Sequence, residues 1–158
     1  MTEILLRDLQ KHPFVADFQP EHQAQLAAIG KLVHFQADEV IFREGDDYSV
    51  LYLLQDGMVA LELDFPGQLL RVQTLYKNDV FDWSALLPHA AKHFQARALD
   101  AVSAFAFEGD DLHRCFKSDP ELGVAFLLRL MGVVSERLRA TRLQLLDSYS
   151  PIAKRAGA

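Results

Sequence analysis

The chain changes its hydrophobic period twice. From Thr2 to about His12 the apolar residues Ile4, Leu5 and Leu9 recur at helical spacing, which predicts a short amphipathic helix. Pro13 stops it, because the residue before a proline is steered away from helical backbone. A second helix is predicted from Pro20 to about Ile29, since proline suits a first helical position and Leu26, Ala27 and Ile29 form an apolar side before Gly30. Phe14, Val15 and Phe18 are expected to pack beneath it. Between Leu32 and Phe107 the period falls to two: Val33, Phe35, Val40, Phe42, Val50, Tyr52, Val59, Leu61 and Leu63 lie on strand-like alternations. These runs are broken by turn residues at Gly45-Asp46-Asp47, Asp56-Gly57, Pro66-Gly67 and Lys77-Asn78-Asp79. Many short strands at such spacing predict a barrel or jelly roll, which deals with exposed strand edges by folding the sheet over on itself.

After Phe107 the helical period returns. Asp110-Asp111-Leu112 leads a short helix to Phe116, and Ser118-Asp119-Pro120-Glu121 opens a long one reaching about Leu146, with a frayed tail from Ser150 to Ala158. The fold class expected is therefore α+β, mainly β: one domain over residues 1–149, made of N-terminal helices (1–31), a β-roll (32–107) and C-terminal helices (108–149), then a tail (150–158). In the last helix Leu127, Met131, Val134, Leu138, Thr141 and Leu145 are separated by alternating steps of four and three, the a/d seam of a coiled coil. That seam, with Arg137, Arg139 and Arg142 outside it, predicts a homodimer. The alternative is packing on the β-roll, which the first half, apolar all round from Val124 to Val134, is expected to do in part.

The stretch from Val72 to Val102 carries the candidate site: a β-like run, a polar turn, a short apolar helix opened by Asp82-Trp83-Ser84, a His-bearing loop and another β-like run. Strands closing around a small helix make a concave site.

Composition narrows the chemistry. A length of 158 residues, half of them apolar, suits one domain with a sizeable core, and a net charge of −6 argues against nucleic acid, whose nonspecific binding rests on Lys and Arg neutralising phosphates. The single Cys115 allows no internal disulfide, the N-terminus lacks the positive-then-apolar order of a signal peptide, and no apolar run is long enough to span a bilayer. A cytoplasmic protein of bacterial economy, with no nucleic-acid or membrane partner, is expected. His89 and His93 are four apart, but two ligands do not close a zinc site, and no metal is expected. Cys115 reads as a small core residue with no His beside it, and His12, His22, His34 and His113 as scattered surface or capped residues. With no paired carboxylates, nucleophile elbow, P-loop or dinucleotide fingerprint, enzyme activity is not expected.

The order of elements, together with three segments, resembles the cyclic nucleotide-binding domain of the catabolite activator and kinase regulatory subunit superfamily, from about Phe14 to Leu145. Ile41-Phe42-Arg43-Glu44-Gly45-Asp46 looks like the family's first Gly turn, Leu51-Tyr52-Leu53-Leu54-Gln55-Asp56-Gly57-Met58-Val59 like its tyrosine-bearing strand and second Gly turn, and Leu75-Tyr76-Lys77-Asn78-Asp79-Val80-Phe81 like the approach to the phosphate cassette. Glycine reaches positive φ without steric cost, as the tight turns of a roll require. The chain ends where transcription factors of the superfamily begin a helix-turn-helix domain, which implies a free-standing sensor module that does not bind DNA.

In binding members the cassette reads Phe-Gly-Glu, apolar residues, then Arg and Ser or Thr; the Gly amide, Arg and hydroxyl meet the cyclic phosphate and Glu the ribose. Here Phe81 is kept, but Asp82 stands for Gly, Trp83 for Glu, Lys92 for Arg and His93 for Ser or Thr, followed by Phe94. A carboxylate at Asp82 repels an anion by a few kcal/mol in a partly buried site, more than one good hydrogen bond returns. Indole only donates, so Trp83 cannot accept from ribose, and Lys92 lacks the bidentate fork of Arg. The resemblance therefore implies a cassette disfavouring cyclic AMP and cyclic GMP, with no other cofactor indicated. Phe81-Asp82-Trp83-Ser84-Ala85-Leu86-Leu87-Pro88 also looks like a subgroup of bacterial stand-alone or redox-associated members with Phe-Gly-Trp-Ser at this point.

Two readings of Trp83 stay open. The indole fills the emptied pocket, or it stacks on a different planar ligand whose anionic part meets Lys92, His93 and the amides of Ser84 and Ala85. The corresponding functions are a sensor, in which a small molecule moves the cassette helix and a hinge at Cys115–Pro120 carries this to the long helix and a partner protein, and a ligand-free dimeric interaction module. Haem sensing is a third.

Overall fold

The structure, a computed structural model, describes residues 2–47, 49–88 and 92–156, with side chains as far as Tyr149. Helices α1 (Thr2–Leu9) and α2 (Pro20–Ile29) come first. Strands β1 (Lys31–Phe35), β2 (Val40–Phe42), β3 (Val50–Asp56), β4 (Val59–Phe65), β5 (Gln68–Leu75), β6 (Val80–Phe81), β7 (Gln95–Ala98) and β8 (Val102–Glu108) follow, with one 3₁₀ turn at Trp83–Leu86. Helices α3 (Gly109–Ser118) and α4 (Pro120–Ala156) close the chain. Two compact units result, one up to Gly123 and one from Val124 onward.

The strands form two antiparallel sheets, β1-β8-β3-β6 and β2-β7-β4-β5, as the alternating pattern predicts for a β-roll. Tyr52, Leu54, Phe81, Val102 and Ala104 of the first sheet meet Phe42, Val59, Leu61, Leu75, Ala96 and Ala98 of the second in one continuous core. The Gly turns behave as expected: Gly45 and Gly57 have φ of 84° and 92°. A Cβ at Gly57 would lie 2.4 Å from the Ala101 carbonyl oxygen, so only glycine fits.

Strand β3 is buried on both faces, which alternation alone does not reveal: Leu51 and Leu53 are as buried as Tyr52. The N-terminal segment covers the second face. His12 is 3% exposed, stands edge-on to Phe105 with ring centroids 6.4 Å apart, and lies 3.1 Å through Nε2 from the Leu54 carbonyl oxygen. The Phe14 amide donates to its Nδ1 at 3.2 Å, so that nitrogen is unprotonated and Nε2 carries the hydrogen donated to Leu54. Burial lowers the His12 pKa, in keeping with a neutral ring. The surface reading of His12 and His22 is thus corrected. His22 is 5% exposed, with Nε2 3.3 Å from the Asp119 carboxylate that also accepts from Gln25.

Other departures are local. Helix α1 ends at Leu9 because His12 turns inward, and the chain tightens there through bonds three residues apart, from the Lys11 amide to Asp8 and from the His12 amide to Leu9. Helix α4 runs to Ala156, well past Leu146, so the tail predicted to fray is helical as far as the description reaches; Gly157 and Ala158 lie outside it. Within this extension the Ser148 hydroxyl donates to the Gln144 carbonyl at 3.0 Å. On the outer face of the second sheet Glu62, 3% exposed, accepts both Arg97 Nε (2.9 Å) and Nη2 (2.7 Å) and also Gln95 Nε2 (3.2 Å). Among the described residues no buried side-chain polar atom lacks a hydrogen bond.

Candidate functional site

The cassette starts where β6 ends. Phe81 is fully buried, its ring stacked on Tyr52 (centroids 4.9 Å, 14° between planes) and on Phe42 (6.5 Å, 30°). The next residue, Asp82, takes left-handed backbone at φ 64°, ψ 40°. Asp and Asn tolerate this region better than other side chains, and among the described residues the other non-glycine ones with positive φ are Asp38 and Asn78. The left-handed turn reverses the chain into Trp83–Leu86, whose amide bonds run from Ala85 to the Asp82 carbonyl (3.2 Å) and from Leu87 to the Ser84 carbonyl (2.9 Å). The predicted short helix is this single 3₁₀ turn.

The same backbone geometry aims the Asp82 carboxylate inward, where it meets Lys92. Lys92 precedes β7, and its carbonyl accepts from the Gly45 amide at 3.0 Å, which ties the segment to the β2–β3 turn. Its ammonium donates to Asp82 Oδ2 and stands 4.8 Å from the centre of the Phe42 ring. Ser84 Oγ donates to the other carboxylate oxygen at 3.0 Å. Both charged side chains are only 2% exposed. Burial pushes the Asp82 pKa up to about 6, against the opposing pull of Lys92 and Ser84. The sequence reading sets Asp82 and Lys92 against each other around an anion; the structure pairs the two side chains directly. The Lys92 ammonium is thus engaged by the Asp82 carboxylate inside the cassette.

The remaining predicted residues fall on either side of the pair. Trp83 and Ser84 are half-buried and Ala85 is buried; the Ala85 amide is taken by the Asp82 carbonyl, so it does not point to a ligand. His93 and Phe94 are exposed and do not join Asp82 and Lys92 inside. His89 lies outside the described residues, so the His89–His93 spacing has no counterpart there. Among the described residues no group of three or more His, Cys, Asp or Glu side chains is arranged to hold a metal. Cys115 is half-buried, and burial keeps its thiol pKa above the ordinary value, which is the opposite of an activated nucleophile.

Two residues tie the cassette to α3: Gly109, which the sequence reading passed over, and His113, read there only as a surface or capped residue. A Cβ at Gly109 would lie 2.3 Å from the Ala85 carbonyl oxygen, so the start of α3 touches the cassette turn directly. His113 Nε2 lies 3.0 Å from the Leu86 carbonyl oxygen. A glycine opening a helix and a histidine one turn later were the available signals, but neither identifies its partner. The helix start that follows is tied down in turn, with Asp119 Oδ1 accepting the Leu122 amide at 3.2 Å. In α4 the seam residues Leu127, Met131, Leu138 and Leu145 are 48%, 66%, 49% and 54% exposed, Thr141 is exposed and Val134 half-buried.

Residues 32–119 match the cyclic nucleotide-binding domain family. A cyclic nucleotide-binding domain from Methylobacillus flagellatus superposes with a TM-score of 0.79 at 20% identity, covering 93% of this chain and 83% of that one. A putative cyclic nucleotide-binding protein from Geobacter metallireducens gives 0.74 at 24% identity, over 84% and 96%. The sensor domain of the transcriptional regulator DNR from Pseudomonas aeruginosa gives 0.68 at 21%, over 87% and 93%. Comparison with curated protein sequences finds no significant match.

Proposed function

The chain belongs to the cyclic nucleotide-binding domain family, and from that premise we propose that it is a non-catalytic regulatory module whose cassette does not take cyclic AMP or cyclic GMP tightly. The observation that carries this is the buried Asp82–Lys92 pair. A cyclic phosphate would have to draw Lys92 and Ser84 away from a carboxylate with no water to receive it, and an ionised group left unpaired in such a place costs several kcal/mol. Binding energy of that order separates micromolar from negligible affinity.

The regulatory part of the reading is supported by relatives such as the sensor domain of a transcriptional regulator, and by the ties from the cassette to α3 through Gly109 and His113. The exposed seam of α4 supports a homodimer, with a protein partner still to be identified. No helix among the described residues is long and apolar enough to cross a membrane. We place the module in the cytoplasm.

Thermal melting with and without millimolar cyclic AMP and cyclic GMP tests the proposal. A ligand that binds only the folded chain raises its melting temperature in proportion to the logarithm of concentration over Kd. No shift is expected, and a concentration-dependent rise would reject the reading.

A further inference from the structure

The cassette holds an anion already. An ammonium and a hydroxyl from separate segments converge on one carboxylate, and neither charged side chain reaches solvent. The carboxylate is held there against two costs. Left-handed backbone at a residue with a Cβ costs about 1 kcal/mol or more, and withdrawing two ions from water costs several kcal/mol before their attraction is counted. Lys92 has a second support in the Phe42 ring face, so its position does not rest on Asp82 alone.

We propose that the Asp82 carboxylate is an internal stand-in for an external phosphate-type oxyanion, and that removing it opens Lys92 and Ser84 to such an anion. The inference rests on the reading above, in which the unmodified cassette refuses cyclic nucleotides. It goes further by naming what closes the site and which chemistry reopens it. A phosphate offers the same acceptor oxygens as the carboxylate, and a cationic donor holds it by a charge-assisted bond stronger than a neutral one. Glycine at position 82 relieves the left-handed strain and clears the space of the side chain. Asparagine keeps shape and backbone tolerance while removing the charge.

The test uses Asp82→Gly and Asp82→Asn in the full chain, each titrated with inorganic phosphate and with cyclic AMP, followed by melting temperature and by the fluorescence of Trp83, the single tryptophan. The wild type should respond to neither probe. Asp82→Gly should gain at least about tenfold in affinity for one of them and melt about 3 °C or more higher at ten times Kd. Adding Lys92→Met to Asp82→Gly should abolish the response, which assigns it to this site. A response to phosphate and cyclic AMP alike marks a bare oxyanion site, and a response to cyclic AMP alone marks one that also needs the base. Folded variants indifferent to both probes would overturn the proposal, as would failure of both variants to fold, since the pair would then be structural only. A wild type that binds cyclic AMP sinks the earlier reading; a silent wild type with silent variants sinks this one alone.

Discussion

His113 Nε2 lies 3.0 Å from the carbonyl oxygen of Leu86, so the helix following the β-roll holds the last residue of the cassette turn. The other face of that contact is Gly109, whose missing side chain lets α3 approach Ala85. The cassette turn and α3 are therefore in direct contact at two points.

The first prediction concerns that link. His113→Ala should cost about 1 kcal/mol, the usual net worth of one such hydrogen bond, and should raise amide exchange at Leu87, whose own bond closes the same turn. Gly109→Ala should cost more, because its Cβ has no room beside the Ala85 carbonyl. Equal effects of the two substitutions would mean that the contact is not the tight point described.

The second concerns the buried pair. Lys92→Met leaves the Asp82 carboxylate without its cation and should destabilise the chain by about 3–5 kcal/mol. The double variant Lys92→Met/Asp82→Asn should recover most of that loss, because no buried charge remains. A double-mutant cycle from urea unfolding measures the coupling. A coupling near zero would show that the two side chains do not depend on each other.

The third is a pH profile with two opposing parts. His12 has a folded pKa below 6.5, so the unfolded chain takes up the proton first, and this contribution to stability is present above pH 6.5 and lost as pH falls through the folded value. Asp82 behaves in the other sense. Its folded pKa of about 6 lies above the ordinary 3.8, so the folded chain keeps a proton the unfolded chain has released, and this contribution is lost as pH rises through about 6. Between pH 4 and pH 7 the wild type should therefore lose stability relative to Asp82→Asn by up to about 3 kcal/mol. His12→Gln should flatten the fall on the acid side. Parallel profiles for the wild type and Asp82→Asn would contradict the Asp82 assignment.

The fourth addresses the seam of α4. Met131→Glu with Leu138→Glu places charges on two exposed positions one heptad apart. If the seam joins two copies, sedimentation should show a dimer for the wild type and a weakening of at least about a hundredfold, roughly 2.7 kcal/mol, for the variant. A wild type that sediments as a monomer at all concentrations would reject the dimer.

Much of the fold was legible because its rules are local. Alternation places Val50 and Tyr52, Val59 and Leu61 on one face, and Gly45 and Gly57 stand where positive φ is needed. Leu51 and Leu53 were not assigned to a core because their burial depends on a separate layer brought over by His12 and Phe14, and no period within β3 records that. The site was legible in membership and not in relationship. Asp82, Ser84 and Lys92 could be named as odd residues in a cassette, but ten positions and a loop separate Asp82 from Lys92, and only the left-handed turn decides that the carboxylate points inward to meet the ammonium. His93 and Phe94, adjacent to Lys92 in the chain, are exposed where Lys92 is buried, which their order in the sequence does not reveal.

The central claim, that the cassette's cation is already engaged by Asp82, is tested most directly by calorimetric titration of the wild-type chain with cyclic AMP at neutral pH. The account predicts no saturable heat up to about millimolar ligand, corresponding to less than about 4 kcal/mol of binding. Saturable one-site binding in the micromolar range, lost in Lys92→Met, would show that Lys92 is free to serve a cyclic phosphate and would contradict it.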